Sequence, residues 1–372
     1  MQTSASTPSG FASTSPSAPA KKRTWRDILE MAVKILVPLG ITVWMLLWLT
    51  RHINLHEMDR IIRTECDFHW VALMMVIVVM SRITRGIRWG IQLRAAGLRR
   101  MPAMTEIVSI FGAYSLNLLV PYLGETWRCV YMARQEDARL SSVVGTDLGD
   151  RFSDAVVVMV LCVLALFVAH QPMMAFLDHY AVGRRMLHTL TDVWMWVGIV
   201  GGIGAFIAIC LIFKKNRYVA KVDAVIVEMW RSFAVMFKMK GIGLYWVYTI
   251  FIWVCYFLET YIVFFAFPFT RELIHMPGSA WGLAPGLVLF VFCSISIAIP
   301  SNGGLGPWNI ALMFALSLYG ISNTDGFAFS MIVWTFKTIM IIAMGIFAAH
   351  WILFQKRRTD VHGNLPGHFL KL

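Results

Sequence analysis

The sequence predicts an all-α polytopic membrane protein of six to eight transmembrane helices, with two broken or re-entrant hairpins set as an inverted repeat. Three observations lead there. The 372 residues are 58% hydrophobic and 15% charged, with a mean hydropathy of +0.66, whereas soluble domains are about 45–50% apolar and about 25% charged. Windows approaching the ~20 apolar residues that cross ~30 Å of hydrocarbon recur along almost the whole chain. Two further apolar stretches, 103–140 and 284–320, are cut near their middles by Pro, Gly and polar residues.

The first twenty residues are rich in Ser, Thr, Pro, Ala and Gly and carry no charge. Such a segment cannot bury a core, and with Lys21, Lys22, Arg23 and Arg26 behind it, it reads as a disordered cytoplasmic tail over 1–26. Positive charge follows this tail instead of opening it, which is not the order of a secretory signal. An integral membrane domain over 27–355 comes next, with spans predicted at 31–50, 69–89, 152–170, 192–213, 243–267 and 326–354, and then a basic tail over 356–372. Lys and Arg cluster before the first span, after the second (Arg94, Arg99, Arg100), after the fourth (Lys214, Lys215, Arg217, Lys221) and after the last (Lys356, Arg357, Arg358). Those ends should be cytoplasmic, with 51–68, 171–191 and 268–283 on the opposite side of the inner membrane and both termini cytoplasmic.

This placement also accounts for the net charge of +12 without invoking nucleic acid. The six cysteines show no CxxC or CxxH spacing, so neither a disulfide framework nor a metal site is indicated. His52 and His56 share a helix face at a membrane boundary but have no third ligand nearby. Nucleotide, zinc-protease and serine-hydrolase motifs are missing. No cofactor is therefore expected, and ATP-driven transport would need a partner chain.

The two interrupted stretches align. SLNLLVPYLGETW (115–127) and SISIAIPSNGGLG (294–306) share Ser, five mostly apolar residues, Pro, two residues and then Gly. The parity of the spans makes the first hairpin start from the cytoplasm and the second from outside, and inverted repeats with broken helices are a transporter architecture. Irregular backbone at membrane depth is tolerated only against protein or water. The loop holding Asn302, Gly303 and Gly304 should therefore line a cavity, with N–H groups at the helix opened by Pro307 free to meet an anion. A plain helix-turn-helix at a membrane surface is the alternative.

Charge within the apolar runs carries the chemistry. Asp147, Asp150, Arg151 and Asp154 fall within about 100° of helical arc, at the start of the predicted span. They either line a pathway or clamp one another, Arg151 with Asp147 and Asp154. Arg82, Arg85 and Arg88 share one side of the second span; Arg88 is close enough to its end to snorkel, whereas Arg82 lies about two turns deeper. In the first hairpin, Asn117 precedes the break, and Glu125 and Arg128 form an i, i+3 pair beside it, able to close on each other or to hold a zwitterionic headgroup. Glu259 and Lys337 are lone charges in their spans and should pair, with each other or with the hairpins; an acid and a base there could also relay protons.

The segments NLLVPYLGETWR (117–128), GDRFSD (149–154) and PSNGGLGPWN (300–309) resemble the signature regions of the lysylphosphatidylglycerol synthase transmembrane region family, also called flippase-like. The resemblance falls on Asn117, Pro121, Gly124, Glu125, Arg128, Arg151, Asp154, Pro300, Gly303, Gly304 and Gly306. Asn302 stands where that family usually has Pro, and Asn309 where it usually has Glu. The best-known members fuse such a domain to an aminoacyl-phosphatidylglycerol synthase, and only the membrane part is matched here. The resemblance thus implies translocation of a phospholipid or lipid-linked headgroup rather than aminoacyl transfer, with a separate synthase or an oligomeric partner left open. Arg128 and Arg151 would hold the phosphate, while Glu125 and Asp154 would face its cationic part or exchange protons. Two other classes remain: an intramembrane enzyme with Glu125 or Asp154 as general base, and a non-catalytic scaffold.

Overall fold

A computed structural model describes residues 55–99, 101–168, 197, 217–297, 299 and 301–362. The spans predicted at 31–50 and 192–213, the tail over 1–26, His52 and Pro300 therefore lie outside the described residues, Val197 apart. Among the described residues every regular element is helical. The order is α1 Leu55–Glu65, α2 Phe68–Ala95, α3 Ala103–Leu119, α4 Leu123–Gln135, α5 Leu140–Val168, α6 Arg217–Ala234, α7 Ile242–Tyr261, α8 Pro268–His275, α9 Leu283–Ser296, α10 Pro307–Ser317 and α11 Asn323–His362. Segments Phe68–Ala95, Ile242–Ala266 and Asn323–Gln355 are long and apolar enough to cross a membrane, and α3 and α9 are shorter apolar helices.

Helix ends follow local chemistry. Asp67 caps α2, its carboxylate accepting the N–H of His69 at 3.1 Å, which satisfies one of the donors left free at a helix start. The Asp67 N–H in turn donates to the Ala266 carbonyl at 2.8 Å and ties α2 to the end of the α7 segment. At 28 residues α2 is about 42 Å long, more than one hydrocarbon thickness.

The main core gathers Met74 and Val78 of α2, Phe264 and Phe267 beyond α7, Leu312 of α10, and Phe329 and Val333 of α11. Helices approach closely where side chains are small, as packing in lipid favours. A Cβ at Gly86 would lie 2.7 Å from the Ile107 Cα, so α2 and α3 cross there. Gly345 of α11 faces Ser115 of α3, whose hydroxyl donates to the Ile341 carbonyl at 2.9 Å.

Both interrupted stretches form helix-break-helix pairs, α3–α4 and α9–α10. Their breaks touch: the Asn302 amide donates to the Leu119 carbonyl at 3.4 Å, and Gly303 abuts Leu118. At the Pro307 helix start, where N–H groups were expected to be free for an anion, Asn309 folds back and accepts the Gly306 N–H at 3.1 Å. The helix that carries the span predicted at 152–170 starts earlier. Helix α5 begins at Leu140, so its charged face lies inside the helix and must be satisfied by neighbouring helices.

Candidate functional site

The charges of α2, α4, α5, α7 and α11 meet in one interior network. Its first layer is built on two aspartates of α5 facing two arginines of α2. Arg85 Nη2 lies 3.1 Å from Asp150 and 2.6 Å from Asp154, and Arg88 Nη2 lies 2.7 Å from Asp150 and 2.9 Å from Asp154. The Nη1 donors reach the Tyr256 hydroxyl from Arg85 and the Thr249 hydroxyl from Arg88, each at 3.2 Å, while both Nε donors are buried without a hydrogen-bond partner. Arg85, Arg88 and Asp150 are buried and Asp154 nearly so. Charges taken out of water persist only when paired and hydrogen-bonded in this way.

A second layer lies farther from the α2 C-terminus. Glu259 of α7 accepts from Arg82 at 3.1 Å and from the Ser81 hydroxyl at 2.8 Å, while Lys337 of α11 approaches its other oxygen at 2.8 Å. Arg82 is held between the rings of Tyr114 and Tyr256, at 4.5 and 4.8 Å, and Lys337 sits 5.4 Å from the Trp308 ring. These cation–π contacts supply attraction that survives burial. The two lone charges of the sequence therefore pair with each other, with Arg82 as a third member.

Arg128 is fully enclosed. Its guanidinium stacks on Trp89 at 4.2 Å and pairs with Asp147 of α5. The i, i+3 partnership of Glu125 and Arg128 does not form, nor does the clamp of Arg151 with Asp147 and Asp154. Glu125 instead accepts from Arg151 at 2.6 Å. The reason is geometric: α4 packs along α5, so carboxylates and cations of different helices face one another more closely than neighbours on one helix. This pair stays open, with Arg151 44% and Glu125 24% exposed. Leu148 and Phe152 flank Arg151 on α5 and are exposed as well.

The hairpin residues divide into scaffold and surface. Asn117 accepts the Gly124 N–H at 2.7 Å and bridges the first break. Gly124 has no room for a side chain, since a Cβ there would overlap the Ala113 carbonyl. Tyr122, at φ 62°, makes the turn. In the second break Gly303 and Gly304 hold φ of 60° and 81°, where a β-carbon is strained, and the Gly303 carbonyl accepts the Trp334 indole N–H at 3.0 Å. Asn302 keeps one buried oxygen without a hydrogen-bond partner.

From the sequence, Arg82, Arg85 and Arg88 share one side of the span, with Arg88 near enough to its end to snorkel and Arg82 the deeper candidate; in the structure Arg85 and Arg88 are core members of the network. Their signal was present as a spacing. Arginines at 82, 85 and 88 repeat every three residues, as acids at 147, 150 and 154 repeat every three or four, so two complementary stripes were legible. Tyr114, Tyr245 and Tyr256 gave no such signal, because aromatic residues in apolar helices are commonplace. Tyr245 joins the network through Gln92, at 3.1 Å, and Ser153, at 2.5 Å. Among the described residues no group of three or more His, Cys, Asp or Glu could hold a metal ion.

Comparison with known proteins gives one family. No curated protein matches the chain, and no solved structure does. The family model described as "Lysylphosphatidylglycerol synthase TM region" matches residues 35–345, a range that contains the broken helix pairs and the charged network. With well over half its length matched, and with the α-helical architecture of a polytopic membrane protein, the chain belongs to the lysylphosphatidylglycerol synthase transmembrane-region family.

Proposed function

We propose that the protein translocates a phospholipid or lipid-linked headgroup between the leaflets of the inner membrane, and that Glu125 and Arg151 form the contact with that headgroup. Family membership gives the chain a membrane role in handling lipid headgroups; translocation is the finer reading. The observation that carries it is the openness of the Glu125–Arg151 pair, set among exposed apolar residues about three turns into α5. An exposed charge at such a place needs a polar visitor. A headgroup brings both signs: its phosphate suits the forked guanidinium of Arg151, and an ammonium or hydroxyl donor suits the Glu125 carboxylate.

Charge count supports the same reading. Among the described residues, Arg82, Arg85, Arg88, Arg128, Arg151 and Lys337 face five carboxylates, Glu125, Asp147, Asp150, Asp154 and Glu259, one positive charge more than negative, which suits an anion. Arg128 and Asp154, both engaged with helix partners, would position the pair rather than touch lipid. The contact between the two breaks is what an inverted repeat of re-entrant hairpins would produce, the unwound segments lining one cavity. Lys and Arg placement supports cytoplasmic termini.

Reconstitution into liposomes with leaflet-specific quenching of labelled lipids tests this. Translocation without chemical change of the lipid is expected. Product formation without translocation would make the protein an enzyme, and neither outcome would leave a scaffold.

A further inference from the structure

We propose that Lys337, on α11 beside the break between α9 and α10, forms a second anion site, one that takes a phosphate group at mid-span. Among the described residues the charges of the interior network are not shared evenly. Arg85 and Arg88 face Asp150 and Asp154, Arg128 faces Asp147, and Arg151 faces Glu125, so each of these sets is balanced. Glu259 serves two cations: its Oε1 accepts from Ser81 and Arg82, and its Oε2 faces Lys337. The surplus positive charge therefore lies in the second layer. Within that layer the side chains of Arg82 and Glu259 are 6% and 1% exposed, whereas that of Lys337 is 22% exposed.

Depth gives this exposure its meaning. Lys337 lies about 21 Å along the helix axis from Asn323 and about 27 Å from Gln355, the ends of the segment long enough to cross. Neither end is within reach of its side chain, so snorkelling does not account for it. An exposed ammonium at that depth needs water or an anion. The second break supplies the walls: Trp334, one turn earlier on α11, donates its indole N–H to the Gly303 carbonyl at 3.0 Å, and the Lys337 ammonium lies 5.4 Å from the ring of Trp308, in the first turn of α10. An ammonium carries three N–H donors, and Glu259 Oε2 engages one of them at 2.8 Å. The exposed remainder suits a single phosphate oxygen, a point contact unlike the forked grip of an arginine. Two cations against one carboxylate leave such a visitor a net attraction, and phosphate is the anion that a bilayer presents on its phospholipids.

The site does not rest on lipid translocation, and binding alone tests it. Melting of the purified, detergent-solubilised full chain is followed against rising concentrations of short-chain phosphatidylglycerol, the diacylglycerol with the same chains, and inorganic phosphate, since a ligand of the folded state raises the melting temperature. Because Arg151 is itself a phosphate contact in the proposed function, every protein carries Arg151→Gln, alone or with Lys337→Gln or Lys337→Arg. Glu259 keeps Arg82 and Ser81 when Lys337 is replaced, so these variants should fold. Phosphatidylglycerol should raise the melting temperature saturably where Lys337 is present, and the diacylglycerol should not. Lys337→Gln should raise the half-saturating concentration about tenfold or more, and Lys337→Arg should retain the response. A parallel response to inorganic phosphate would make free phosphate a ligand of the same site, and a response to phosphatidylglycerol alone would assign it to a lipid headgroup. Half-saturation unchanged by Lys337→Gln, no saturable effect of phosphatidylglycerol with Lys337 present, or an equal effect of the diacylglycerol would overturn the site.

Discussion

At the scale of single residues, burial separates charges that hold the molecule together from charges free to act. Asp150 is fully buried and accepts from both Arg85 and Arg88. Asp150→Asn would leave two guanidinium groups short of compensation, and the loss of a buried partner costs about 3–5 kcal/mol; melting of the solubilised protein should fall clearly. Glu125→Gln and Arg151→Gln act on a partly exposed pair, and such pairs contribute about 0–1 kcal/mol, so melting should hardly move. The sequence separated these roles imperfectly. Isolation of Glu259 and Lys337 in apolar runs was enough to foresee that each pairs, with the other or with the hairpins, because an unpaired charge in lipid must find a partner; the structure pairs them with each other. The enclosure of Arg128 was not legible, since it depends on Trp89, 39 positions earlier in the chain, stacking across the helix interface.

At the scale of elements, the α3–α4 pair is held at its break by Asn117 and at its base by the ion pair of Arg94 with Glu106. Gly124→Ala would drive a methyl into the Ala113 carbonyl and the Asn117 side chain, an overpacking that costs about 1–3 kcal/mol. Asn117→Ala would strip the Gly124 N–H of its acceptor at a cost of about 1–3 kcal/mol. Both changes should lower melting temperature and translocation together, unlike changes at the open pair. The raised carboxyl of Glu136 adds a pH dependence. Its neutral form is favoured by the fold, so no penalty exists at low pH; the penalty begins above the ordinary 4.5 and is complete above about 7. Wild-type melting temperature should therefore decline between about pH 5 and pH 7.5, and Glu136→Gln should flatten the curve. Proline and glycine positions revealed both breaks in the sequence. The side-chain cap at Gly306 was hidden, because Asn309 resembles any polar residue in a first helical turn.

At the scale of the whole molecule, hydropathy fixed the class and local chemistry fixed the interruptions, while the pairing of helices had to come from geometry. Spans predicted at 69–89, 243–267 and 326–354 lie, Phe267 apart, within helical segments that are long enough to cross, since a run of apolar residues suffices to define them. The meeting of the two breaks could be suspected from the repeat of Ser, Pro and Gly, but the contact of Asn302 with Leu119 could not. The positions of Lys and Arg predict that residues 100–101 and 215–240 are cytoplasmic and that 171–191 and 268–283 face the other side. Single-cysteine labelling with an impermeant reagent, in a background without the native cysteines, checks this. Position 275 should label from the non-cytoplasmic side.

In the proposed function an open charge pair acts on lipid while the buried charges hold the fold. Initial translocation rates in liposomes, measured with the melting temperatures of the same preparations for wild type, Glu125→Gln and Arg151→Gln, test that claim most directly. The prediction is a fall of about tenfold or more in rate, equivalent to about 1.4 kcal/mol, with melting essentially unchanged in both variants. Unaltered rates, or rates that fall only in step with melting temperature, would contradict it.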